Sequence, residues 1–576
     1  MKIINNSICH FIVFLLTLLF VFRDLLLYIR TNLIDWRDYP LMIWIMSQHT
    51  LKIQHLNFAN YFDTNAFFPH KYSLLFSDLL LPQALISLPF LLFSNNIILI
   101  FNIVFLLTFI LNFVSLYLFW RLLFKDNLIA FLGSMFALFS PFFHLSISHF
   151  QMLSFWPFFF SLYFLFSAER RLIYFFLSGL FLTIQFLASV YLAVFLIFSI
   201  VTYIVLDFFF LKNIKTSIKS FLAIFLTFLI LGGIFIQSYI NVQKYYQIDK
   251  EISEYINYSA SVTDYIFTSS INSFLHQSPL MKSWNSPDKN FSMGKASSAG
   301  ILFTILAVVS LISFTKRQNK IILGIQFNRL NAFFIALIVL GVIFSLGPRL
   351  NFNGNYAHIP LPYNLLLKMG PLIEPIRNPS RWSFIFYIGI IYFALMTIKK
   401  IKEKGTYKYL ILFIFILFIF EYIPLNLLSE KGNYLNPEYH NLKTTCEKNR
   451  KVLLEVPVTH RDATDDVAAG LTYINKVQLA SLFHQCNLVN GYSGYDLPDN
   501  LALAQTIDGY ILNQQTTEFI KELRKKKIDL VKFNVDYFRK EASSSAVDFF
   551  NDLKNQPDIT RIGQSTFYLT PEIRSE

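Results

Sequence analysis

Residues 79–93, LLLPQALISLPFLLF, decide the topology of this 576-residue chain. The stretch is apolar but short, carries Pro82 and Pro89, and is joined to the next apolar run by Ser94, Asn95 and Asn96 alone. A helix needs about 20 apolar residues to cross a hydrocarbon core of roughly 30 Å. Eleven other runs approach that length: 8–28, 97–120, 128–147, 152–168, 172–189, 190–210, 219–239, 298–315, 329–347, 383–398 and 408–428. If residues 79–93 do not cross, the basic groups Arg121 with Lys125, Arg170 with Arg171, Lys212 to Lys219, Lys316 to Arg329, and Lys399 to Lys408 share one side. The short turns near His149 and Ser189 then carry no Lys or Arg. Counting 79–93 as a span inverts that distribution at all these loops and violates the positive-inside rule. The expected topology therefore has about eleven transmembrane helices, the N-terminus inside and the C-terminus outside. Residues 79–93 lie along the outer interface or re-enter.

Composition excludes a soluble enzyme. The chain is 55% hydrophobic, 18% aromatic and only 15% charged, with a mean hydropathy of +0.48, which lies outside the range of soluble domains. A formal charge of +13 would suggest nucleic acid in a soluble chain. Here Lys and Arg gather in short gaps between apolar runs, so topology accounts for them and no nucleic-acid partner is expected. The first run, from Ile8 to Tyr28, lacks a small-residue cleavage site and reads as a retained anchor.

The expected fold is an all-α polytopic membrane domain over residues 1–428, with outer loops at 29–96, 240–297 and 348–382. A small α/β extracytoplasmic domain follows over 429–576. There KVLLEVP from Lys451, IDLVKFNV from Ile528 and STFYLT from Ser565 read as strands, and Thr516 to Lys527 as a polar helix. Cys446 and Cys486 both lie in this domain, so a disulfide between them is expected if it faces an oxidising compartment. Cys9 falls in the first helix, and no cysteine spacing suits a metal.

Three polar groups sit at the expected outer surface. The first loop reads IDWRDYPLMIWIMSQHTL from Ile34 and FDTNAFFPHKYSLLFSDLLLP from Phe62, with Asp35, Asp38, Asp63 and Asp78 among aromatics. Carboxylates at such an interface can deprotonate an acceptor hydroxyl or amine, or hold a divalent cation; they can equally cap helices. The second group, HLSISHFQMLSFWP from His144, puts His149 and Gln151 in a tight turn between spans, with Tyr191 in the turn ASVYL at the same depth. These residues could bind a sugar or a phosphate, or only solvate the turn. The third, from Gly347, ends in PIRNPSRW, where Arg377 and Arg381 precede an inward-running helix. Two guanidinium forks and free helix N–H groups suit a phosphate or pyrophosphate; snorkelling to lipid headgroups is the alternative.

The order of these motifs resembles the GT-C class of membrane glycosyltransferases, in particular bacterial members with a C-terminal outer domain. The similarity rests on a first helix, a loop opening with an Asp before DYPLMIWIMS, then FFPHKYSLLFSDLLLP, HFQMLSFWP, LGPRL, PLIEPIRNPSRW and finally LVNGYSGYDLP. Membership of that class implies a polyprenyl-phosphate-linked sugar donor used on the outer face, and an essential Asp or Glu in the first outer loop. By position Asp38 matches best, with Asp35 next and Asp78 as a partner; His149 and Gln151 would face the same cavity. Some members need a divalent metal and others do not, so metal use stays open, and no organic cofactor is expected. The implied partners are the lipid bilayer, the lipid-linked sugar, and a glycan, lipid or protein acceptor, at a bacterial inner membrane. A transporter or flippase of a lipid-linked glycan and a non-catalytic envelope assembly factor are the competing readings. Transporters place charges mid-membrane, whereas Arg23, Asp24, Asp207 and Glu421 lie close to the predicted span ends.

Overall fold

The computed structural model describes residues 7–167, 171–211, 214–247, 251–265, 297–313, 328–352, 355–370, 376–403, 407–447, 449–460, 467–495, 497–534 and 544–570. The expected outer loop 240–297 and the basic cluster Lys316 to Arg329 lie largely outside them. The chain divides into two compact units: residues 1–28, 103–243 and 249–429 in one, and residues 29–102, 244–248 and 430–576 in the other.

Apolar helices dominate the first unit. Among the described residues, six helices are long and apolar enough to cross a membrane: Ile97–Phe124, Asn127–Ser146, Phe150–Ser167, Val190–Phe210, Ile214–Tyr246 and Pro379–Glu403. They make the chain a membrane protein. Within the described residues, the other five expected spans contain shorter helices, Ser7–Val21, Leu172–Ala188, Ile301–Ser313, Arg329–Ser345 and Tyr407–Tyr422. The first run shows one cause of shortening: it breaks at Phe22 and resumes as Arg23–Leu27.

Large apolar side chains point outward along these helices, for example Ile230 (78% exposed) and Ile234 (71%) on Ile214–Tyr246. Apolar surface of this extent needs a lipid cover. Inside the unit, small residues let helices approach. A Cβ on Gly341 would lie 2.7 Å from Phe386, and one on Gly389 would lie 2.7 Å from the Phe334 carbonyl, so these two glycines set the packing of Arg329–Ser345 against Ser383–Glu403.

Charges near the span ends are satisfied structurally. Asp24 accepts hydrogen bonds from the Ser429 amide (2.7 Å) and hydroxyl (2.6 Å), and Asp207 pairs with Arg329. Buried Glu421 accepts from the amides of Ile301 (2.5 Å) and Leu302 (3.0 Å), filling the open N-terminus of Ile301–Ser313.

The second unit is built on a five-stranded sheet: β1 (Val452–Val456), β2 (Asn487–Leu488), β3 (Leu530–Phe533), β4 (Ile559–Arg561) and β5 (Thr566–Leu569), in the order β2-β1-β3-β5-β4. β1 runs parallel to β2 and β3, and β5 antiparallel to β3 and β4. The expected strands from Lys451, Ile528 and Ser565 are β1, β3 and β5, and the expected polar helix is Thr516–Lys525. The core gathers Leu454, Val456, Phe519, Phe533, Phe549 and Phe567. Buried Lys532 on β3 pairs with buried Glu455 on β1 at 2.8 Å. Cys446 and Cys486 form a disulfide, with Cα atoms 5.2 Å apart.

The first loop belongs to this unit, which differs from a boundary at residue 428 that groups 29–96 with the membrane helices. Three contacts explain it. Asn32–Leu33 pairs antiparallel with Glu430–Lys431. The aromatic helix Tyr39–Gln54 is buried along most of its length and packs on Val467–His484, where the Trp44 indole donates to the Ser481 hydroxyl at 3.2 Å. Finally, residues 65–68 extend the sheet beyond β2: the Leu488 amide donates to the Asn65 carbonyl at 2.6 Å and the Phe68 amide to the Leu488 carbonyl at 2.9 Å. The opposed hydrogen bonds cover an otherwise open edge. The phenyl ring of Phe67 occupies the space beside Gly491, where a Cβ would lie 2.6 Å from three ring atoms.

Residues 79–93 form a helix, Leu81–Ser87, followed by a 3₁₀ turn, Leu88–Leu92, together too short to cross as a helix.

Candidate functional site

The candidate residues fall into two groups, each within its own unit. Asp35, Asp38 and Asp78 belong to the second unit, and His149, Gln151, Tyr191, Arg377 and Arg381 to the first.

In the second unit the first-loop carboxylates have different surroundings. Asp35 is buried and committed to Arg37: its oxygens accept from the Arg37 guanidinium at 2.5 to 3.2 Å and from the Arg37 amide at 2.6 Å. Asp63 accepts from the amide of Tyr72, at 2.7 Å, bracing a residue with left-handed backbone (φ 60°). Both therefore serve structure. Asp38 stands at the N-cap of Tyr39–Gln54, but its side chain makes no capping hydrogen bond. The sequence supplies a reason: an N-cap side chain normally accepts from the second or third helical amide, and Pro40, in the second position, has none. The Asp38 carboxylate is half-buried. Burial, followed by the charges of Asp35 and Asp38, pushes the buried hydroxyl of neighbouring Tyr39 well above its ordinary pKa. Asp78 is half-buried in the extended segment between the Ser73–Phe76 turn and Leu81–Ser87.

In the first unit the arginines are fixed by their neighbours. Trp382 is fully buried among Phe195, Phe198 and Phe344, with ring centroids 4.6 to 5.0 Å apart, which anchors the short turn Pro379–Trp382. Arg381 then lies over the Tyr191 ring at 4.7 Å. The Tyr191 hydroxyl accepts from the Asn378 amide at 3.2 Å. Arg377 pairs with Glu254 at 3.3 Å and lies 5.9 Å over Tyr258. Free amides were expected at this helix start. Two are spent instead, Ser380 on the Tyr258 carbonyl (3.2 Å) and Arg381 on that of Asn378 (3.3 Å). Any anion here would be held by guanidinium groups more than by the helix terminus.

Glu254 and Tyr258 were not among the sequence candidates. Their signal was an acid and aromatic residues in KEISEYINYSA, which local pattern does not connect to Arg377 over 100 positions away. Gly347 holds the facing turn together. Its backbone is left-handed (φ +67°), and a Cβ there would lie 1.7 Å from the Ser259 hydroxyl oxygen, so both conformation and space require glycine.

His149 and Gln151 sit at a four-residue helix, Phe150–Leu153. Gln151 is buried, and its Oε1 has no hydrogen-bond partner among the described residues. The same helix reaches the Tyr191 turn: the Met152 sulfur lies 3.9 Å from the Ser189 hydroxyl. Four of the five first-unit candidates thus sit on turns that touch one another in pairs, Gln151 and His149 with the Ser189–Tyr191 turn, and Tyr191 with Arg381. Among the described residues, no group of three or more His, Cys, Asp or Glu is arranged to hold a metal ion.

The family model described as Domain of unknown function (DUF6311) matches residues 45–421, well over half of the chain. None of the curated proteins matches. Among solved structures, the archaeal oligosaccharyltransferase AglB from Archaeoglobus fulgidus, in complex with an inhibitory peptide and a dolichol-phosphate, is 12% identical. It aligns over 92% of this chain and 69% of its own, with a TM-score of 0.46. A likeness at that level establishes neither fold nor activity.

Proposed function

The chain belongs to the DUF6311 family, and we propose that it is a membrane glycosyltransferase that moves a sugar from a polyprenyl-phosphate-linked donor to a glycan, lipid or protein acceptor on the extracytoplasmic face. The reading rests first on the order of sequence motifs resembling the GT-C class. The observation that carries it to a residue is the place of Asp38, a half-buried residue at the N-cap position of Tyr39–Gln54 whose side chain makes no capping hydrogen bond to that helix.

The proposed chemistry is a single displacement with inversion. The acceptor oxygen or nitrogen forms a bond to the anomeric carbon as the bond from that carbon to the donor phosphate oxygen breaks. Asp38 takes the acceptor proton, and polyprenyl phosphate leaves carrying the negative charge. Within the first unit, Arg381 is a stronger candidate than Arg377 for contact with a phosphate, because Glu254 already offsets Arg377. The satisfied charges Asp24, Asp207 and Glu421 weigh against transport, in which intramembrane charges line a pathway.

The test is in cells. A strain lacking the gene is complemented with wild-type or Asp38→Asn protein at equal membrane levels, and envelope glycans and glycolipids are compared by mass spectrometry. Asn keeps the size of Asp and removes the base, so the product formed by wild type should fall by about 10²- to 10⁴-fold. A loss smaller than about tenfold is too little for a general base and would remove Asp38 from the mechanism.

A further inference from the structure

Leu118, Arg121 and Leu122 stand at i, i+3 and i+4 on one face at the end of the helix Ile97–Phe124, and Lys125 follows it directly. Together with Asp126 and Tyr163, they line a cavity of about 570 Å³ in the first unit, within the usual range of small-molecule sites. The carboxylate in the wall is already used. Asp126 accepts from the amides of Leu128 (2.9 Å) and Ile129 (3.1 Å), capping the next helix, and pairs with Lys402. Arg121 and Lys125 are exposed and have no ion-pair partner among the described residues. The cavity therefore presents two uncompensated positive charges beside an apolar wall, at the end of a helix long enough to cross the membrane.

We propose that this cavity is a binding site for an anionic phospholipid, the phosphate held by Arg121 and Lys125 and the start of an acyl chain lying along Leu118 and Leu122. The chemistry of the site is a phosphate on a guanidinium and an ammonium. What favours a lipid over a soluble phosphate ester is the leucine wall running along a membrane-length helix, which a small hydrophilic anion would leave exposed. The site is independent of the glycosyl-transfer reading and of the residues assigned to it.

The experiment is a native mass spectrometry titration of the full-length protein with phosphatidylglycerol and with phosphatidylcholine. Phosphatidylglycerol should bind saturably and more tightly than phosphatidylcholine. Each basic residue near an anionic lipid surface contributes about a fivefold change in affinity, so Arg121→Gln with Lys125→Gln should weaken phosphatidylglycerol by roughly 25-fold. The charge-keeping pair Arg121→Lys and Lys125→Arg should keep most of the binding. Equal binding of the two lipids to wild type, or unchanged phosphatidylglycerol binding by the double glutamine variant, would overturn the site. Displacement of bound lipid by millimolar inorganic phosphate would overturn the lipid assignment in favour of a soluble phosphate ester. If the glutamine variant fails to fold, the wild-type comparison and the phosphate competition still decide.

Discussion

At the scale of single residues, the two neighbouring carboxylates Asp35 and Asp38 should separate stability from activity. Asp35 holds the Arg37 guanidinium through both its oxygens, and its loss leaves a half-exposed cation that has lost charge-assisted hydrogen bonds. Asp35→Ala is therefore expected to cost about 1–3 kcal/mol, discounted toward the lower end because Arg37 reaches water. It should be visible as a lower thermal midpoint of the purified full-length protein. Asp38→Asn removes no capping bond and keeps the size of the side chain, so it should lower that midpoint less than Asp35→Ala does. The opposite pattern, a stable Asp35→Ala and an unstable Asp38→Asn, would exchange their roles. The difference was half legible in the sequence. Pro40 after Asp38 announces that the N-cap acceptor will lack one of its donors, whereas the fold of Arg37 back onto Asp35 depends on a local turn that residue types alone do not specify. Likewise, Arg377 and Arg381 stand out in the sequence, but Glu254, which offsets one of them, is connected only through the fold.

At the scale of elements, β1, β3 and β5 were readable because each is a short apolar, β-branched run bounded by polar residues. The partnership of Tyr39–Gln54 with Val467–His484 was not, because hydrophobic periodicity says which face of a helix is buried and nothing about which partner, some 430 positions away, covers it. These two helices carry buried histidines that make a pH prediction. Burial pushes His49, whose Nδ1 lies 2.7 Å from the Tyr61 hydroxyl, down to about 4. Burial, with a further contribution from the charge of Lys532, pushes His484 down to about 3. The unfolded chain protonates both near pH 6.5, so their stabilising effect is complete above that pH. It is lost as pH falls from 6.5 toward the folded values, by about 1.4 kcal/mol per pH unit for each histidine. Hydrogen exchange of the full-length protein, corrected for intrinsic rates, should show weaker protection of both helices at pH 5 than at pH 7.5. Equal corrected protection would mean that neither imidazole is held neutral.

At the scale of the whole molecule, a long first loop and the C-terminal residues build one α/β unit, and apolar helices build the other. Composition made the membrane class plain, since soluble domains do not carry so many long apolar runs. Helix lengths were less legible: the first apolar run breaks at Phe22 and resumes as Arg23–Leu27, because residues that score as apolar also fill turns. Motif order placed the carboxylates and arginines in the chain without revealing their partners. The central claim is sugar transfer from a lipid carrier. It is tested most directly by reconstituting the full-length protein in nanodiscs with polyprenyl-linked sugars and acceptors extracted from its own membrane, and measuring free polyprenyl phosphate by mass spectrometry. The account predicts acceptor-dependent release of polyprenyl phosphate by wild type, falling to background with Asp38→Asn. Folded wild-type protein that releases none, or an Asp38→Asn variant that releases as much as wild type, would contradict it.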